Sequence, residues 1–168
     1  MQDHELNPDA LEIINDVRAA EKSGERIPMY KMNHIQARQS YLAMRSALSP
    51  AAPNVFKIIE MEIPVNGQNI KARYYRGINN SEEASLPVTI FFHGGGWVIG
   101  DLDTHDVVCR QLANQGKFDV ISIDYRMGPE FRFPTAINDA ITSISWINNN
   151  SLKLPIDTSK IAVCGDSA

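Results

Sequence analysis

Cysteine is scarce in this chain: there are two among 168 residues, Cys109 and Cys164, far apart and without CxxC spacing. Neither a disulfide framework nor a zinc cluster is indicated, and both thiols are expected to be small buried fillers. No apolar run reaches bilayer-spanning length. The start, Met1-Gln-Asp-His-Glu-Leu6, lacks the charged n-region and apolar h-region of a secretory signal, so a soluble, cytoplasmic protein is the expectation. Basic clusters are absent as well. With 16 Lys and Arg against 20 Asp and Glu the formal net charge is -4, and nothing offers the footprint that phosphate backbones require, so no nucleic-acid partner is expected.

What is present is ordinary globular composition, 43% hydrophobic and 21% charged, enough apolar mass for one core. From Asn7 to about Ser23, Ala10, Ile13, Ile14, Val17 and Ala20 recur at helical spacing between Asn7-Pro8 and Gly24. A second helix is predicted from Asn33 to about Leu48, with Ala37, Tyr41, Met44 and Leu48 on one stripe and Pro50 to Pro53 as a linker. Val55–Val65 and Ile70–Tyr75, rich in β-branched and aromatic residues, flank Asn66-Gly67 and read as an antiparallel hairpin. A polar loop, Asn79–Ser85, follows.

From Leu86 the rhythm becomes that of an α/β protein. Val88–Phe92 and Val120–Ile123 are short continuous apolar runs of the kind covered on both faces. Between them a helix from about Thr104 to Gln115 is predicted, capped by Asp103 or Thr104. Pro134 opens a further helix with Ile137, Ala140, Ile141, Ile144 and Ile147 on one face, and Asn148–Pro155 form its exit loop. Ile161–Cys164 reads as a third buried strand and leads into Gly165-Asp-Ser-Ala168.

Two segments carry chemistry. His93-Gly-Gly-Gly-Trp97 follows the first apolar strand directly, and consecutive glycines let backbone N–H groups turn toward a developing oxyanion with no side chain in the way. An HGGG loop at this place is a described source of the esterase oxyanion hole. A dinucleotide-binding GxGxxG fails, because Ile99 and Trp97 occupy required glycine positions, and no Gly-Lys-Ser/Thr follows for a phosphate loop. Gly165-Asp166-Ser167-Ala168, at the end of an apolar strand, supplies the first four positions of the G-x-S-x-G nucleophile elbow. A plain turn is the competing reading of each segment.

Together with Gly100–Asp106 and Asp124–Pro134, these segments resemble the hormone-sensitive-lipase family of α/β-hydrolase esterases in both order and spacing, from about Val55 to the end of the chain. The resemblance implies a truncated α/β-hydrolase fold. Residues 1–50 would be N-terminal cap helices and residues 51–168 the N-terminal half of the hydrolase domain, with the C-terminal half absent. It further implies hydrolysis of small carboxylic esters with short to medium acyl chains, and neither cofactor nor metal. By position Ser167 would be the nucleophile. The N–H groups of Gly95, Gly96 and Ala168 would form the oxyanion hole, with Gly94 shaping it. His93, Trp97 and Asp166 would support the site, as Asp124-Tyr125-Arg126 and Asp139 would support the loops. Two departures, Gly128 and Phe131 where the family usually shows Ala and His, are expected to touch only local packing.

A serine hydroxyl needs a base and a group that orients the base. In α/β-hydrolases both follow the serine in the chain, so they are expected beyond these 168 residues and the chain alone is expected to be inactive. The upstream histidines read as structural: His93 in the glycine loop, His105 on the first turn of a surface helix, His4 and His34 with the cap helices. An unpaired third strand would leave an apolar sheet edge open to self-association. Two other readings stay open at this point, a non-catalytic partner chain of a split hydrolase and a phosphate or nucleotide binder.

Overall fold

A computed structural model describes residues 6–81, 84–150 and 154–167. The chain divides into two compact units, one ending at Ala37 and one beginning at Arg38. In the first, α1 (Pro8–Ser23) starts where the Asn7 side chain accepts from the Asp9 N–H at 2.9 Å and stops at left-handed Gly24. Its apolar stripe is half-exposed, with Ile13 outside it. The helix α2 (His34–Leu48) opens on a reciprocal capping box in which Asn33 Oδ1 takes the Gln36 N–H and Gln36 Oε1 takes the Asn33 N–H. The division between the units falls inside α2, whose predicted stripe holds at Ala37, Tyr41 and Met44 but not at Leu48, which is exposed.

The second unit is built on a five-stranded sheet: β1 (Lys57–Val65), β2 (Gln68–Arg76), β3 (Leu86–Phe92), β4 (Asp119–Ile123) and β5 (Ile156–Gly165), in spatial order β1-β2-β4-β3-β5. As predicted, β1 and β2 form an antiparallel hairpin. Val65 faces Gln68 across Asn66 and Gly67, both at positive φ, the two-residue turn that matches strand twist. Strands β3, β4 and β5 run parallel, and β2 joins β4 antiparallel.

Because side chains alternate along a strand, the sheet buries two apolar layers. Tyr75, Phe91 and Val120 pack with Cys109 and Ala113 of α3 (Asp106–Gln115), while Tyr74, Ile90 and Ile121 pack in the other cluster with Ile147 of α4 (Thr135–Asn149). At one end of β2 the Arg76–Asp119 pair is wholly buried, and Tyr74 Oη donates to the same carboxylate. Arg76 also donates to the carbonyls of Ser81, Ala84 and Pro155, so one guanidinium ties two loops to the sheet.

Several expectations are corrected. Ile137 and Ile141 are exposed, because the buried face of α4 is carried by Asp139, Ser143 and Ile147. Ile161–Cys164 is a strand but not a buried one: β5 lies at a sheet edge, Val163 is 60% exposed, and Cys164 is only partly buried. The third helix begins at Asp106, with neither Asp103 nor Thr104 at its cap. Asp101 and Thr104 instead close a turn upstream, Asp101 N–H to Thr104 Oγ1 at 2.8 Å and Thr104 N–H to Asp101 Oδ1 at 2.7 Å. That turn sends His105 inward, where it is buried rather than on a surface helix.

Candidate active site

The register of β3 against β5 pairs Phe92 with Gly165, so the glycine loop and the serine bend leave the sheet side by side at the carboxyl ends of parallel strands. That is where α/β sheets bind ligands. The loop folds tightly: Gly95 has φ 137°, Gly96 59° and Trp97 57°, and the Val98 and Ile99 N–H groups both donate to Gly95 O. A side chain at Gly95 would collide with the Ile99 carbonyl. Among the described residues neither the Gly95 nor the Gly96 N–H has an acceptor.

Gly94 is the meeting point. A Cβ built on it would stand 2.7 Å from Ser167 Cβ, and its N–H donates to Asp166 Oδ1 at 2.6 Å. Ser167 itself is exposed, and its hydroxyl has no partner among the described residues. Burial pushes the Asp166 carboxyl upward, but the Gly94 N–H and His105 outweigh it and hold it below its ordinary value. Ala168 lies outside the described residues, as does His4.

Behind the loop, His93 is fully buried, stacked on Tyr125 with ring centroids 4.5 Å apart and on His105 at 5.5 Å. Tyr125 Oη donates to His93 O at 2.5 Å, and His93 Nδ1 donates to Gly94 O at 3.0 Å. Its Nε2 is buried without a partner among the described residues, and burial depresses the pKa of the ring. Arg126 is held to Asp139 through three bonds of 2.6–3.0 Å. Phe131 lies under the Arg126 guanidinium at 5.2 Å. At Gly128 an alanine methyl would find only ordinary contacts, the nearest at 3.7 Å.

Two contributors escape the sequence reading. Arg38 donates from Nε to Val98 O at 2.7 Å and from Nη2 to Gly128 O at 2.8 Å, and it grips Glu130 with both terminal nitrogens. No local pattern could announce contacts across 60 to 92 residues. His105 Nε2 stands 3.1 Å from Asp166 Oδ2, and its Nδ1 is 3.0 Å from Thr104 Oγ1. The signal for its burial was the Asp101–Thr104 pair, whose mutual bonding makes a turn of what reads as a helix start.

Beside Gly96 and Trp97 lies an apolar cleft of about 610 Å³, lined also by Phe131, Phe133 and Ile137. A charged hollow of about 660 Å³, lined by Glu60, Lys71, Arg73, Asp101 and Asp124, includes none of the loop glycines, whereas the apolar cleft shares Gly96 with the loop. Among the described residues no cluster of His, Cys, Asp and Glu is placed to hold a metal ion, and no helix is long and apolar enough to cross a membrane.

A family model described as alpha/beta hydrolase fold matches residues 89–168. The ethyl acetate hydrolase of Pseudomonas putida is 31% identical over 163 residues, which cover 96% of this chain and 51% of that protein. Among solved structures, an ester hydrolase from the metagenome of Lake Arreo superposes with a TM-score of 0.89 at 34% identity, over 97% of this chain and 51% of its own. The hyperthermophilic esterase of the archaeon Pyrobaculum calidifontis gives 0.85 at 34% identity, over 97% of this chain and 50% of its own. The chain thus spans about half the length of these relatives.

Proposed function

We propose, from the premise that the chain belongs to the hormone-sensitive-lipase family within the α/β-hydrolase fold, that Ser167 is the nucleophile of a carboxylic-ester hydrolase acting on small esters of short to medium acyl chain. The observation that carries the reading is the contact between the two motifs: Ser167, exposed, lies against Gly94, and the next two residues of that loop, Gly95 and Gly96, have N–H groups with no acceptor among the described residues. Attack of the Ser167 hydroxyl oxygen on the ester carbonyl places negative charge on the carbonyl oxygen. The N–H groups of Gly95 and Gly96, joined by that of Ala168, stabilise it. Collapse expels the alcohol and leaves an acyl-enzyme, which water then hydrolyses. The apolar cleft at Trp97 is suited to an ester's hydrocarbon portion.

A base must take the serine proton. Neither His93 nor His105 is hydrogen-bonded to Ser167, and both are committed elsewhere. On this reading the base and the acid that orients it come from the half of the relatives' length that this chain does not span. A short-chain chromogenic ester tests it on three proteins: the 168-residue chain, a version extended through that remainder, and the extended Ser167→Ala variant. Turnover is expected only in the extended wild type. Equal turnover in the alanine variant would refute Ser167 as nucleophile.

A second reading, that the chain pairs with a separate chain carrying the rest of the site, is supported by the exposed apolar side of β5, which among the described residues pairs with β3 alone. It expects ester turnover to appear when the two separately purified halves are mixed. Continued silence of the mixture, with both halves folded, rejects it.

A further inference from the structure

Asp166 presents two oxygens to two different partners, and each is an N–H. Oδ1 takes the Gly94 N–H at 2.6 Å and Oδ2 faces His105 Nε2 at 3.1 Å. An ionised carboxylate only accepts, so Nε2 is the protonated nitrogen of the His105 ring. The other ring nitrogen meets a hydroxyl that suits either ring state. Thr104 Oγ1 has one proton and two acceptors within reach, Asp101 O at 2.9 Å and His105 Nδ1 at 3.0 Å. With a neutral ring the Thr104 hydroxyl can donate to Nδ1; with an imidazolium it donates to Asp101 O and accepts from Nδ1–H. The ring is further fixed by stacking on His93 at 5.5 Å and by tilted contacts with Phe91 at 5.9 Å and Tyr41 at 6.4 Å. His105 is buried, whereas the Asp166 side chain is 47% exposed. A rigid donor therefore holds the second oxygen of a carboxylate that the Gly94 N–H alone would otherwise orient.

We propose that His105 is a positioning residue for ester hydrolysis: through Asp166 it fixes the Gly94 N–H, and with it the glycine loop, in register against Ser167. The inference rests on the proposed role of Ser167. His105 touches neither the serine hydroxyl nor the cleft. Its effect passes along Thr104, His105, Asp166 and Gly94, a chain that joins the turn before α3 to both halves of the site. Loosening it would let the glycine loop drift from the position where its N–H groups meet the oxyanion. Displacements near 1 Å of that kind cost roughly 100-fold in rate.

The test uses the extended protein with His105→Leu, which removes the donor at similar size, and His105→Gln, whose amide nitrogen can still reach Asp166. With a short-chain chromogenic ester, His105→Leu is expected to lose roughly 10- to 100-fold in kcat with KM nearly unchanged, and His105→Gln to recover most of it. The Gly94 amide proton, followed by NMR in a nitrogen-15 sample, is expected far downfield in the wild type and in His105→Gln. In His105→Leu and in Asp166→Asn it moves upfield. Should His105→Leu fail to fold, Asp166→Asn, at an exposed side chain, still decides the amide shift. An unmoved Gly94 resonance in Asp166→Asn overturns the proposal, as does a kcat loss in a folded His105→Leu that glutamine leaves unrescued. Turnover surviving Ser167→Ala would sink the nucleophile reading instead, and the amide shift would still test His105 independently.

Discussion

A methyl group at Gly94 would stand 2.7 Å from Ser167 Cβ, closer than real Cβ atoms approach, and tight at 3.2 Å against Asp166 Oδ1, so either the loop or the serine must give way. Gly94→Ala in the extended protein is therefore expected to lower kcat by roughly 100-fold, comparable to losing an oxyanion donor. It should also cost about 1–3 kcal/mol of stability through overpacking. Gly128→Ala is the matched control for stability, because its methyl finds open contacts, and its melting temperature should stay level or rise. Equal melting temperatures for both variants would contradict the close approach.

Asp124 shows a different residue-scale effect. Burial first, and then the charge of Asp101, push its carboxyl up from 3.8 to about 6. A raised folded-state value means the group favours folding below its unfolded pKa and loses that contribution as pH rises through 6. Asp124→Asn should therefore be more stable than the wild type at neutral pH, by on the order of 2 kcal/mol, and equal to it near pH 4. Buried His93 works in the opposite direction, its depressed value removing stability as pH falls below 6.5. It is common to both proteins, so the difference between their melting curves isolates Asp124. A difference that stays constant with pH would defeat the assignment.

At the scale of elements, local signals were strong where one physical rule dominated. Asn66-Gly67 dictated the hairpin, Asn7-Pro8 and Gly24 bracketed α1, and the continuous run Val120–Ile123 became the fully buried β4. The placement of the glycine loop and the serine bend at the ends of parallel strands was equally legible, and the pairing of Phe92 with Gly165 sets the two side by side. What stayed hidden was set by partners distant in sequence. The apolar residues of α4 suggested a single face, yet the fold buries Asp139 and Ser143 there, Asp139 because Arg126 reaches it from the loop after β4, and turns Ile141 outward. His105 read as a surface residue because its neighbours look like a helix start. The Asp101–Thr104 turn delays α3 to Asp106 and points the ring at Asp166. Arg38 carries no local signal of its role, because only the folded loops supply the carbonyls it binds.

At the scale of the whole molecule, the sheet is asymmetric. The edge at β1 carries charged residues such as Lys57, Glu60 and Glu62, whereas the edge at β5 offers the run Ile161-Ala-Val-Cys164 with Val163 exposed. Charge on an edge strand discourages pairing with another chain, and an apolar edge invites it. The 168-residue chain is therefore expected to self-associate in a concentration-dependent way. Val163→Lys, which places an ammonium on the exposed face of that edge, should shift the onset of light scattering to severalfold higher protein concentration. The extended protein should remain dispersed without the substitution, since a further strand would occupy the same edge. If Val163→Lys scatters at the same concentration as the wild type, association runs through another surface, the first candidate being the apolar cleft at Trp97 and Phe133. A Phe133→Ser variant would then show the shift that the lysine did not, separating an edge-pairing mechanism from a patch-driven one.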